Sequence, residues 1–122
     1  MIQFMVKLNQ CRAKKIPSSY PALIDYESEF KIMINGEIFF DDPNFPLLEF
    51  LRYATEWIKH TDMPFEYSSI ETEDNPLIVF SSKNGTWAIS SPWQKFKCYT
   101  SFTKEEFIDA INVLLAKVVS SK

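Results

Sequence analysis

Apolar and polar side chains alternate along residues 2–8 and again along residues 30–34. A repeat of two residues is typical of a β-strand that buries one of its faces. Asn35-Gly36 follows the second stretch, and both residue types adopt the positive backbone φ angles that a two-residue hairpin turn requires. We therefore predict a hairpin whose second strand covers residues 37–40.

A second hairpin is predicted in the C-terminal half of the chain. Residues 77–80 form an uninterrupted apolar run, which is typical of a central strand that is covered on both faces. Asn84-Gly85 supplies the turn, and residues 86–90 supply the returning strand. Alternating stretches at residues 65–68 and 95–100 predict two further strands.

A first helix is predicted to begin near Pro46, because proline suits the first helical position and disfavours helical geometry in the residue before it. The apolar positions of this helix share one face and are Leu47, Phe50, Leu51, Ala54 and Ile58. The same spacing predicts that Glu49 lies on the opposite, polar face, where it is placed to pair with Arg52 or Tyr53.

A second helix is predicted after Thr103, because Thr103 and Glu106 have the spacing of a capping box. The order along the chain is then strands, helix, strands, helix. For a chain of 122 residues, 46% of them hydrophobic, this order predicts an α+β fold with residues 1–122 as one domain. We expect a mainly antiparallel sheet of about five to seven strands, with both amphipathic helices packed on one face.

Charge is distributed unevenly along the chain, whose formal net charge is −3. Residues 25–74 carry thirteen acidic side chains and three basic ones, a local net charge of −10, while the parts on either side are basic. A field of this sign attracts cationic partners and opposes binding to the phosphates of nucleic acids. No apolar run has the length that crosses a bilayer, and the two cysteines show no disulfide framework. We therefore expect a cytoplasmic protein that binds neither nucleic acids nor membranes.

Residues with catalytic or metal-binding chemistry are sparse. His60 is the single histidine, and no motif pairs it with a nucleophile or an orienting carboxylate. Cys11 and Cys98 are far apart and lack the paired spacing of a zinc site. The acidic clusters do not follow the pattern of a calcium-binding loop. We therefore expect no enzymatic activity, no metal ion and no cofactor.

Trp93 is the aromatic residue whose position is least explained by a hydrophobic core. It follows Pro92 directly, in a connection between predicted strands. Tryptophan is favoured at binding hot spots, because it buries a large surface with little rotamer entropy to lose. The alternative interpretation is that Trp93 folds back over the core, as we expect for Trp57 and Trp87.

The most distinctive stretches of this acidic, aromatic-rich chain are Asn75-Pro76-Leu77-Ile78-Val79-Phe80, Trp87 and Ser91-Pro92-Trp93-Gln94. In these stretches the chain resembles small uncharacterised domains of Firmicutes. In its small acidic α+β design, with no catalytic set and a polar, aromatic-rich surface, it resembles immunity proteins of bacterial polymorphic and contact-dependent toxin systems. The resemblance implies a cytosolic protein that binds one toxin domain tightly and blocks it, often by presenting carboxylates to the basic surface of a nuclease. Carried onto this sequence, the candidate partner-binding residues are Asp41, Asp42, Glu66, Glu71, Glu73, Asp74 and Trp93.

Two alternative functions also follow from the residues. A small-molecule-binding or enzymatic domain would enclose a pocket lined by Phe65, Trp87 and Tyr99, with a few convergent polar groups. A self-associating structural protein would pair an exposed strand edge with a copy of itself.

Overall fold

A computed structural model of the chain describes residues 2–7, 27–69 and 72–118. The first sheet consists of three antiparallel strands in sequence order, β1 (Ile2–Lys7), β2 (Glu27–Ile34) and β3 (Glu37–Pro46). The chain passes from β3 directly into helix α1 (Leu47–Ile58), so the helix begins one residue after the proline that predicted it. Within the described residues, no helix is long and apolar enough to cross a membrane.

The second sheet is also antiparallel and follows α1 along the chain. Its strands are β4 (Phe65–Tyr67), β5 (Ile78–Lys83) and β6 (Thr86–Ser90), with β5 in the centre as predicted. Helix α2 (Lys104–Val118) closes the described part of the chain. Its capping box is confirmed, because the backbone N–H of Glu106 donates to Thr103 Oγ1 at 3.2 Å and Glu106 Oε1 accepts from the backbone N–H of Thr103 at 3.1 Å.

Both predicted hairpins are confirmed at their turns. Asn35 and Gly36 have φ angles of +51° and +84°, and Asn84 and Gly85 have φ angles of +54° and +83°. These left-handed conformations match the twist of the flanking strands, which is why Asn-Gly is a strong local signal for a two-residue turn. The second turn sets the register of β5 on β6 along its whole length, whereas the register that the first turn sets for β2 on β3 shifts at two irregularities further along the pair.

The predicted single sheet is wrong in detail, although the α+β class is confirmed. The six strands form two separate three-stranded sheets. The break falls where β3 runs into α1, because the helix carries the chain away before β4 begins, and β4 pairs with β5. The strand predicted at residues 95–100 is not formed. There the side chain of Gln94 donates to the carbonyl of Phe96, and the pairing with β6 is reduced to one isolated bridge between Trp87 and Phe102.

One hydrophobic core lies between the two sheets and the two helices. Aromatic rings form much of it: Phe80 of β5 stacks on Phe107 of α2 with ring centroids 4.1 Å apart, and Phe30 of β2 stacks on Phe45 of β3 at 4.3 Å. Phe50 of α1 packs edge-on against rings from both sheets. Because Phe50 contacts rings of both sheets, side-chain packing connects the two sheets although no strand pairing does so.

Candidate functional site

Trp93 lies in a short turn directly after β6, and several hydrogen bonds hold this turn. The backbone N–H of Ser91 donates to the side-chain oxygen of Gln94 at 3.0 Å, and the backbone N–H of Gln94 donates back to the carbonyl of Ser91 at 3.1 Å. The N–H of Trp93 itself donates to the Ser91 hydroxyl at 3.1 Å. The turn is tied to the first sheet by a 2.8 Å bond from the N–H of Lys95 to the carbonyl of Phe39. The backbone that carries Trp93 is therefore held in place on both sides.

Asp74 lies in the loop between β4 and β5, and its neighbour Asn75 organises that loop. The Asn75 side chain donates to the carbonyls of Ser69 at 2.8 Å and Thr72 at 2.7 Å, and it accepts from the N–H of Ser69 at 2.9 Å. The backbone N–H of Asp74 donates to the hydroxyl of Thr72 at 3.1 Å. These side-chain hydrogen bonds satisfy backbone N–H and C=O groups of the loop, where no strand pairing does so.

The two loops meet at a contact between Trp93 and Asp74. The indole Nε1–H of Trp93 donates to Asp74 Oδ2 at 2.8 Å. One face of the indole lies parallel to the buried ring of Phe40, with centroids 5.9 Å apart and an interplanar angle of 11°. Trp93 is nevertheless 36% exposed, so it is neither a core residue nor a free side chain. The contact fixes the orientation of an aromatic surface that faces solvent beside a carboxylate.

The remaining predicted residues are not all gathered around this contact. Glu73 is exposed next to Asp74, and Asp41 and Asp42 are half-buried on β3 immediately after Phe40. Asp42 Oδ1 accepts the backbone N–H of Asn44 at 2.9 Å, at the irregularity where the register of β3 on β2 shifts. Of the two other acidic candidates, Glu66 is exposed on β4, and Glu71 lies outside the described residues. The best-defined part of the candidate site, the Trp93 site, therefore consists of Trp93, Phe40, Glu73 and Asp74.

The three aromatic residues of the alternative pocket are not brought together. Phe65 is in the core at 1% exposure, where it packs against Trp57 and Phe107. Trp87 is half-buried and stacks on Phe80 with centroids 5.0 Å apart, whereas Tyr99 is 83% exposed. A ring in the core and a ring in solvent cannot line one cavity, so these residues do not form the predicted pocket.

A buried polar pair, Glu49 with Tyr67, was missed by the sequence reasoning. The prediction that Glu49 faces solvent is wrong: its side chain is fully buried, and Tyr67 Oη donates to Glu49 Oε1 at 2.7 Å. Glu49 Oε2 has no hydrogen-bond partner. Burial, followed by the hydrogen bond to Glu49, raises the pKa of the Tyr67 phenol far above its usual value, although a hydrogen bond with Ser69 opposes the shift. The phenol therefore stays protonated and remains a donor.

Helical periodicity placed Glu49 on the polar face because it does not reveal how wide a sector the neighbouring elements cover. Helix α1 contacts β2 of the first sheet, β4 of the second sheet and α2. A helix packed against three elements buries more than one stripe. The only available signal was Tyr67 itself, a tyrosine in a strand whose hydroxyl needs a partner when it is buried.

Metal-binding chemistry is not assembled in the part of the chain that the structure describes. These residues contain no group of three His, Cys, Asp or Glu side chains that could hold a metal ion. His60 is exposed at the end of α1, where its backbone N–H donates to the carbonyl of Trp57 at 2.8 Å. Cys98 is half-buried, and its thiol contacts the carbonyl of Thr100 at 3.8 Å.

Comparison with known proteins gives a family and no function. The chain belongs to a family described as a domain of unknown function (DUF7878), whose model matches residues 2–121. No curated protein and no solved structure matches the chain.

Proposed function

We propose that this chain is a cytoplasmic binding protein without catalytic activity, an immunity protein that neutralises a bacterial toxin domain by tight protein-protein contact. The surface that we assign to this contact centres on the Trp93 site, and Asp41, Asp42, Glu66 and Glu71 remain candidate charges for the partner. The observation that carries the proposal is the contact from Trp93 to Asp74, because it holds an exposed indole in one orientation next to a carboxylate.

The geometry of Trp93 supports a role as an anchor. Ordering a flexible side chain on binding costs about 0.5–1.5 kcal/mol, and the stack on Phe40 together with the bond to Asp74 orders this indole in advance. Its polar N–H already has a partner, so a protein that covers the ring does not strand an unsatisfied donor. An aromatic side chain presented in this way is typical of the residues that dominate binding energy.

The charge of the chain supports a cationic partner, such as a basic nuclease domain. Asp74 and Glu73 are exposed in a segment, residues 25–74, whose local net charge is −10. Complementary charge accelerates association and loses its effect as salt screens it, whereas a buried aromatic contact slows dissociation. We therefore assign the electrostatic acceleration of association to the carboxylates, and the slow dissociation of the complex to Trp93.

The experiment compares partner capture by the wild-type chain, by Trp93→Ala and by Tyr99→Ala. Tyr99 is a matched control, because it is an aromatic residue that is 83% exposed and lies outside the Trp93 site. Each tagged protein is incubated with extract of the native organism at low and at raised salt, and the retained proteins are identified by mass spectrometry. Each retained protein is then expressed in bacterial cells with and without the chain.

The expected result is one retained basic protein that stops growth alone and loses its toxicity when the chain is co-expressed. Trp93→Ala is expected to weaken its binding by about thirtyfold or more, the effect of losing roughly 2 kcal/mol at a hot spot, and Tyr99→Ala is expected to retain it. If no retained protein is a toxin that the chain suppresses, the immunity proposal is refuted. If Trp93→Ala retains a suppressed toxin as well as the wild type does, the assignment of the surface is refuted.

A second measurement isolates the charges. The double variant Glu73→Gln/Asp74→Asn keeps the side-chain shapes and an acceptor for the Trp93 indole. Its association rate with the identified toxin is expected to fall at low salt and to approach that of the wild type at high salt, because only the long-range attraction has been removed. An unchanged association rate at low salt would refute electrostatic steering.

A further inference from the structure

A groove with a volume of about 600 Å³ runs between the outer edge of β1 and one side of α2. Four consecutive residues of the strand line it, from Ile2 to Met5. Successive side chains of a strand point to opposite faces, so a groove that touches all four follows the edge of the strand. Among the described residues β1 pairs with β2 alone, which leaves the backbone of this edge without a strand partner.

The other wall of the groove is a stripe on the flank of α2. The lining residues recur at helical spacing and are Glu106, Asp109, Ala110, Val113 and Lys117. Apart from Ala110 they do not belong to the buried set of the helix, which continues with Phe107, Ile111, Leu114 and Val118. The stripe therefore lies to the side of the face that packs on the core, and it overhangs the free edge of β1.

The stripe is self-complementary when it meets a copy of itself in the opposite direction. Its N-terminal half carries Glu106 and Asp109, its C-terminal end carries Lys117, and the apolar residues Ala110 and Val113 lie between Glu106 and Lys117. In an antiparallel pair of these helices, the register that places Glu106 opposite Lys117 also places Ala110 opposite Val113. Opposite charges then meet at both ends, and a small side chain faces a larger one in the middle.

We propose that a second copy of this chain occupies the groove and forms a two-fold symmetric dimer. A two-fold axis makes each contact occur twice, so Glu106 of each subunit meets the partner's Lys117. The same axis brings the outer edges of the two β1 strands together in antiparallel orientation. The first sheet of one subunit and the first sheet of the other then form one sheet of six strands. This proposal uses a different surface from the Trp93 site and does not depend on the proposed function.

Two exposed apolar side chains support this occupant. Met5 of β1 is 50% exposed and Val113 of α2 is 55% exposed, and both line the groove. An exposed strand edge beside apolar side chains is a template for pairing with another chain. The stripe is acidic in its N-terminal half and basic at its C-terminal end, so a second copy in the opposite direction matches it at both ends, whereas a uniformly acidic or uniformly basic partner matches only one end.

The test is the molecular mass in solution, measured by light scattering or sedimentation velocity over a dilution series. The variants are Glu106→Lys, Lys117→Glu and the double charge exchange Glu106→Lys/Lys117→Glu. Glu105→Lys is the control for the charge change, because it lies one residue away on the same exposed turn but outside the groove. Glu106→Lys also removes the acceptor of the Thr103 N–H, and the double exchange controls for this loss, because it removes the same acceptor but restores the opposite charges. Circular dichroism checks that each variant keeps its secondary structure.

The wild type is expected to have twice the monomer mass of 14.3 kDa at micromolar concentration, in the range typical of specific associations. Each single reversal places like charges at both symmetric contacts and is expected to weaken the dimer about tenfold or more, whereas the double exchange restores it. Glu105→Lys is expected to dimerise like the wild type. If the wild type stays monomeric up to about 100 μM, a concentration well above the micromolar Kd expected here, the proposal is overturned. The proposal is also overturned by a dimer that responds equally to Glu105→Lys and Glu106→Lys, or by one that the double exchange fails to restore.

Discussion

Replacing Tyr67 with phenylalanine is expected to destabilise the protein much more than replacing its partner Glu49 with methionine. One hydrogen bond of 2.7 Å joins the two side chains, but its loss leaves Glu49 and Tyr67 with different numbers of remaining partners. Tyr67 is the donor that the structure places on the Glu49 carboxylate, whose second oxygen has no partner. The Tyr67 hydroxyl, in contrast, also has a hydrogen bond with Ser69.

The magnitudes follow from this asymmetry. Tyr67→Phe leaves a fully buried carboxyl group without a donor, and stranding a buried polar group of this kind costs about 3 kcal/mol, at the upper end of the range. Glu49→Met removes the group that needed a donor and keeps a side chain of similar length, so its cost should be about 1 kcal/mol or less. In the Glu49→Met background, Tyr67→Phe loses only the bond with Ser69 and should cost about 1 kcal/mol.

Urea unfolding of the wild type, both single variants and the double variant provides the measurement, read by circular dichroism and tryptophan fluorescence. The difference between the cost of Tyr67→Phe with and without Glu49 is the coupling energy of the pair, which we expect to be about 2 kcal/mol. Equal dependence on denaturant concentration in all four proteins is the control for two-state unfolding. A coupling energy below about 0.5 kcal/mol would contradict this prediction, because it would show that the Glu49 carboxyl group does not depend on Tyr67.

Three further predictions concern pH, a helix terminus and a turn. Burial raises the pKa of Tyr67 in the folded chain, so above about pH 10 its phenol ionises in the unfolded chain but not in the folded chain. The contribution of Tyr67 to the free energy of unfolding is therefore complete below about pH 10 and falls by about 1.4 kcal/mol per pH unit above it. Urea midpoints between about pH 8 and pH 11 measure this loss, and Tyr67→Phe should show a shallower decline. Thr103→Ala removes the acceptor of the Glu106 N–H and should cost about 1 kcal/mol in urea unfolding, whereas Thr103→Ser should cost much less. Gly85→Ala meets no atom within 4 Å, so its expected cost of about 1 kcal/mol comes from the positive φ angle alone, and Gly85→Asn should recover part of it in the same assay.

Local signals predicted the elements that local chemistry determines. Each Asn-Gly turn needs only its own two residues to adopt positive φ angles, and both hairpins form as expected. The starts of α1 and α2 depend on a proline and on a capping box, which also act within one turn of helix. In all four cases the chain needs no distant partner to specify the geometry.

The predictions are wrong where strand pairing or side-chain burial depends on residues that are distant in the sequence. Alternation at residues 95–100 satisfies the pattern of a strand, but no neighbouring strand pairs with this stretch along its length. The burial of Glu49 depends on Tyr67, eighteen residues away. The Trp93 site divides in the same way. The position after Pro92 left open whether Trp93 is exposed or folds over the core, and the structure shows part of each, because the indole is 36% exposed and stacks on Phe40. Its bond to Asp74 joins residues nineteen positions apart, and no spacing rule predicts it.

The division into two sheets has a consequence for how the protein unfolds. Each half of the chain supplies a complete three-stranded ladder, and this resembles two modules that could be separated. The rings contradict that resemblance, because Phe4 of the first sheet and Phe80 of the second both pack on Phe107 of α2. Neither ladder retains its apolar face without the other, so the slowest-exchanging amides of both sheets should open together with one free energy. Cutting the chain between α1 and β4 would expose the centre of the core on each fragment, and we therefore expect that neither fragment folds alone.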